Sequence, residues 1–131
     1  MKHLFLKFTY AVEIGARLAY LGHYRATKDP KVLAIADEEL LHREKVAKIL
    51  ACYGQKPLPA FNVAFTVIGT FIQYACHVSP LFMLNLVARS MEIFAVVSYN
   101  RLAEIYPFHE DELCAMADAE AKHAAYFWEK R

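Results

Sequence analysis

The sequence predicts an all-α protein, a four-helix bundle with a long apolar crossover helix between its second and third bundle helices. Three observations carry that expectation. Only four glycines and five prolines occur in 131 residues, so helix interiors contain few breakers. Apolar residues recur at three- and four-residue steps along most of the chain, the period of a helix with one buried face. The breakers that do occur, at Asp29-Pro30, Tyr53-Gly54, Lys56-Pro57-Leu58-Pro59, Ser79-Pro80 and Pro107, cut the chain into helix-length pieces. At this length a single domain over residues 1–131 is expected.

The first helix is expected over residues 2–27. Its opening, MKHLFLKFTYAVEIGARLAY, has an apolar run broken by Lys7 and Glu13 and lacks a small-residue cleavage site, so it reads as mature helix rather than signal peptide. Asp29 then offers an N-cap and Pro30 a first helical position for a second helix, which Tyr53-Gly54 closes. After the stiff Lys56-Pro57-Leu58-Pro59 break, residues 60–78 form the crossover. Ser79-Pro80 is a cap with proline for a helix over 81–106, Pro107 ends it, and a last helix covers 109–131. Only the middle connection is long, which makes the four remaining helices two hairpins.

Fifteen basic and 14 acidic residues leave a formal charge of +1, with no basic run, so no nucleic-acid partner is expected. Hydrophobic residues make up 57% of the chain, above the roughly 45–50% of soluble domains. That excess calls for a subunit interface, a membrane surface or an apolar ligand. No charge occurs between Lys56 and Arg89, and the first part of that gap has the hydropathy of a membrane span. Asn62, Thr66, Thr70, Gln73 and His77, however, place one uncharged polar stripe along this helix. The stripe favours a crossover packed on its own bundle or a neighbouring subunit, with interfacial membrane insertion as the alternative and a true span least favoured. Cys52, Cys76 and Cys114 are odd in number and lack Cys-x-x-Cys spacing, which suggests neither a disulfide framework nor a zinc ribbon. A cytoplasmic location is expected, including one peripheral on the inner face of a membrane.

Two acids stand where acids are costly. Glu13 is the only one in the first 28 residues, and Glu92 the only one between Glu44 and Glu104, each in an apolar run. A buried carboxylate without a cation costs several kcal/mol or takes up a proton. Arg17 and Arg89, one helical turn away, are the simplest candidates for that cation. The second candidate is metal. Glu13 precedes Glu39 by 26 residues and Glu92 precedes Glu120 by 28, so each half of the chain reads lone Glu, loop, Glu-x-x-His. Glu39 with His42, and Glu120 with His123, each share one helix face at i and i+3.

Four glutamates and two histidines from two hairpins are the donor set of a dinuclear carboxylate site. Two divalent ions balance four carboxylates, and hard oxygen with imidazole suits iron or manganese better than zinc. Glu38 also shares a face with His42, but the second copy has Ala119 at that place, which favours Glu39. Asp37 and Asp118 recur two residues before each ligand glutamate, either as surface residues or as carboxylates orienting the histidines. Tyr20 and Tyr99 each follow the lone glutamate by seven residues, as core packing or as hydrogen-bonding or redox groups. His23, His77 and His109 have no repeated partner and are read as non-ligands.

The repeated Asp-x-Glu-x-x-His, written DEELLH and DAEAKH here, resembles the ferritin-like di-iron superfamily, and most closely the demethoxyubiquinone hydroxylase family of ubiquinone biosynthesis. Glu13-Ile14-Gly15-Ala16 is similar to that family's first-helix stretch, and Tyr99-Asn100 to its Tyr-Asn pair. KPLPAFNVAFTVIGTFIQYACH is similar in position to the apolar helix by which the family meets membrane and quinone. Ser98 stands where the family usually has histidine, and Gly69 is the only glycine of a helix usually richer in it.

The resemblance implies a ferritin-like bundle with two iron ions, or manganese, on Glu13, Glu39, His42, Glu92, Glu120 and His123. It implies a monooxygenase that uses molecular oxygen and an external electron donor on a quinone-like or other apolar substrate. Homo-oligomeric assembly and peripheral membrane contact are both compatible with it. The alternative is a ferroxidase or peroxidase of the ferritin or rubrerythrin type, without an organic substrate.

Overall fold

The computed structural model describes residues 1–130, and their regular structure is helical throughout. The helices are α1 (Lys2–Thr27), α2 (Pro30–Cys52), α3 (Pro59–Ala75), α4 (Leu81–Ile105) and α5 (Glu110–Glu129), with one 3-10 turn at Pro107–His109. They form two compact units, Met1–Ser79 with α1, α2 and α3, and a second from Pro80 onward with α4 and α5.

In the first unit, α1 ends where Lys28 takes a left-handed conformation, φ 57°, with its N–H donating to Tyr24 O. That turn presents Asp29, whose side chain accepts from Lys31 N at 3.0 Å and caps α2, with Pro30 at its first position. Leu6, Ala11, Ile35, Val46 and Leu50 are fully buried here. α3 lies against α1 at backbone-contact distance. A Cβ placed on Gly22 would meet Gln73 Cα at 2.5 Å, and one on Gly69 would meet Gly15 O at 2.7 Å. Glycine at these positions allows the two helices to approach this closely. Around the glycines, Phe8 packs edge-on to Phe61 and Phe65, with centroids 5.9 and 5.2 Å apart, and the Cys76 thiol reaches Ala19 O at 3.9 Å. Burial pushes that thiol's pKa up, consistent with a neutral packing group.

α3 thus uses one face against α1. Val63, Val67, Phe71 and Tyr74 line an exposed apolar face, while Asn62, Thr70 and Gln73 of the polar stripe are half-buried and Thr66 and His77 exposed. The hydropathy expectation for residues 60–78 needs correction, because α3 has only 17 residues and ends at Ala75. Among the described residues, the helix long and apolar enough to cross a membrane, by length and composition, is α4, with 25 residues. Glu92 and Asn85 are buried on one of its faces.

In the second unit α4 pairs with α5, burying Leu102, Leu113, Met116 and Phe127. Asn85 Nδ2 donates to Lys130 O at 2.6 Å and ties the start of α4 to the end of α5. Ser79 does not cap α4, as its sequence position suggested. Its hydroxyl donates back to Ala75 O at 2.8 Å, and Pro80 occupies the cap position. Glu110, Asp111 and Glu112 fill the first turn of α5, where negative charge complements the exposed N–H groups.

Candidate metal centre

Each unit carries one set of three donors on two helices. In the first, α1 presents Glu13 and α2 presents Glu39 and His42. One ligand atom from each lies within 4.8 Å of the others. The helical period explains the pairing on α2, since residues three apart stand one above the other on one face. The same rule separates Glu38 from the set: Glu39 is buried and Glu38 is partly exposed. In the second unit α4 presents Glu92 and α5 presents Glu120 and His123, again with ligand atoms within 4.8 Å. His123 Nδ1 stands 3.0 Å from Glu120 Oε2 and 3.6 Å from Glu92 Oε2. None of the six residues is more than 4% exposed.

These residues fit a bound cation on two grounds. Their chemistry is hard carboxylate oxygen with imidazole nitrogen, suited to a divalent transition ion. Their burial also leaves the carboxylates poorly solvated. Desolvation pushes the Glu92 carboxyl well above the usual range, and the neighbouring Glu120 adds to the shift, outweighing the opposing effect of His123. Burial alone would lower the His123 pKa, but its hydrogen bonds to Glu120 and Glu92 raise it to about 10. Without metal this cluster therefore retains protons, and a divalent ion can take their place.

The two arginines proposed from sequence as counter-ions have other surroundings. Arg89 lies over the Trp128 ring, 3.8 Å from its centroid, and Arg17 Nε is buried without a hydrogen-bond partner. Asp37 and Asp118 are exposed. Two residues before a ligand glutamate is a helical rotation of about 200°, which turns both carboxyls outward, away from their histidines. Tyr20 and Tyr99 are buried. Among the described residues, the metal-capable groups draw on the six sequence candidates and add no seventh. No family model, curated protein or solved structure matches this chain.

Proposed function

We propose that the chain is a ferritin-like di-iron oxidoreductase that hydroxylates a quinone-like or other apolar substrate, with Glu13, Glu39, His42, Glu92, Glu120 and His123 as ligands of one dinuclear centre. The observation that supports it is the duplicated, buried Glu, Glu-x-x-His donor set. A lone set of three donors could hold one ion; two matching sets would supply the four carboxylates and two imidazoles of a dinuclear centre. Bound ferrous ions would supply electrons to molecular oxygen.

The chain's own residues hold and insulate that chemistry. The carboxylates would neutralise the ions, and the two histidines, rooted one turn along from a ligand glutamate, would fix the donor geometry. Tyr20, Tyr99 and Met116, buried on helices that carry the donors, would help to exclude water. Hydroxylation places one oxygen atom in a carbon–hydrogen bond and reduces the other to water, so it needs two electrons and two protons from an external donor. The exposed apolar face of α3, with Phe71 and Tyr74, favours a lipid-soluble substrate and a peripheral membrane contact over a small inorganic one. Oxygen uptake by the iron-loaded protein, with an electron donor and with or without a reduced quinone analogue, tests the proposal. Quinone-dependent uptake with a hydroxylated product is expected. Iron-dependent uptake indifferent to quinone would replace it with the ferroxidase or peroxidase reading.

A further inference from the structure

The two halves of the chain repeat their donor residues but not their outer packing. With the offset of 79 residues that relates Glu13 to Glu92 and Tyr20 to Tyr99, Phe8, Gly15, Leu18 and Gly22 of α1 correspond to Val87, Phe94, Val97 and Arg101 of α4. On α1 this face is covered by Phe61, Phe65, Gly69 and Gln73 of α3. The matching face of α4 remains open. Phe82, Leu86, Ile93, Phe94 and Val97 are 45–63% exposed and, with Ser90 among them, are turned away from Glu92. At 100° per residue they share one arc of the helix.

We infer that this face of α4 is the contact between two copies of the chain. Its size fits. With Met83 and Val87 on the same arc, the exposed area, at about 200 Å² for a fully exposed large side chain, is on the order of 700 Å², close to the roughly 800 Å² per partner of a stable interface. Its chemistry fits as well, because the face carries no charge from Leu81 to Asn100 and reaches one only at its end, in Arg101, so the middle of the contact buries none. The charges nearby are already engaged: Arg89 over Trp128, and Arg101 with Glu104. That arrangement offers little to anionic headgroups, which surface helices usually meet with lysine and arginine. Ser90 is the small residue at mid-face where two helices can cross closely, and its hydroxyl donates to Leu86 O at 2.9 Å, so a dry interface leaves it satisfied. α3 approaches α1 over glycine; Phe94 at the position matching Gly15 makes the α4 contact one of interlocking side chains.

The test is the mass of the full chain in solution. The metal-loaded protein should sediment at about twice its 15.0 kDa at micromolar concentration. Phe94→Glu with Val97→Glu should halve that mass while helical content and bound metal stay unchanged. Should that variant fail to fold, Ser90→Cys in a Cys52→Ser, Cys114→Ser background provides a second measurement, with the expected result a cross-linked dimer under mild oxidation. A wild type that remains at 15.0 kDa, a dimer indifferent to the glutamates, or no Ser90→Cys cross-link would overturn the inference. So would monomer that binds phosphatidylcholine vesicles and loses them on the Phe94→Glu substitution, which would make the face a lipid contact.

Discussion

Gly22→Ala adds one methyl group at the closest approach of α1 and α3. In an unconstrained helix this substitution stabilises by about 0.8–1.0 kcal/mol, because alanine has the better helix propensity. Here the new Cβ would stand 2.5 Å from Gln73 Cα, 2.6 Å from its carbonyl oxygen and 3.0 Å from its carbonyl carbon. All three are backbone atoms, so no rotamer change relieves the contact, and α3 must move by about 1 Å to restore ordinary van der Waals separation. Overpacking of this kind costs about 1–3 kcal/mol. The propensity gain offsets only part of that, leaving a net loss of roughly 1–2 kcal/mol. Urea unfolding of the metal-loaded protein, monitored by circular dichroism, should show a lower midpoint with an unchanged slope. An unchanged or raised midpoint would mean that α3 does not lie on α1 at this distance.

Three further predictions concern the site and its surroundings. Glu39→Ala should lose bound metal and Glu38→Ala should retain it, checked by metal analysis after anaerobic loading; the reverse would place Glu38 in the centre. Raised folded-state pKa values for Glu92 and for His123, the latter about 10, contribute stability that is present below the unfolded values near 4.5 and 6.5 and lost as pH rises through the folded ones. The metal-free protein should therefore lose stability from these groups with rising pH, while metal affinity rises over the same range; calorimetry in buffers of different ionisation enthalpy should detect proton release on metal binding. Phe71→Asp should abolish flotation with liposomes while metal content is unchanged, and flotation equal to wild type would remove α3 from any membrane contact.

Much of this was legible because it depends on local rules. Asp29-Pro30 starts α2 through a side-chain cap, and Glu-x-x-His shares a helix face whatever the tertiary fold, so the donor residues could be named from spacing. The absence of a counterpart to Glu38 in the second copy selected Glu39. Non-local geometry was not legible in the same way. Nothing in the one-dimensional pattern says that Gly15, Gly22 and Gly69 bring two helices to backbone contact, or that Arg89 stacks on Trp128 some 39 residues later. Ser79 could cap the next helix or bond back to the previous one, and local competition between the two was settled by Ala75 O. Asp37 and Asp118 repeat with the ligands, yet the helical rotation turns them to solvent.

The central claim is tested most directly by counting ions. Protein loaded with ferrous iron under anaerobic conditions and freed of excess metal should hold two irons per chain, with a Mössbauer signature of high-spin iron in oxygen and nitrogen coordination. Glu13→Ala and Glu92→Ala should each reduce that number while the helices remain folded. Fewer than one iron per chain in the wild type, or two irons that survive both substitutions, would contradict the account.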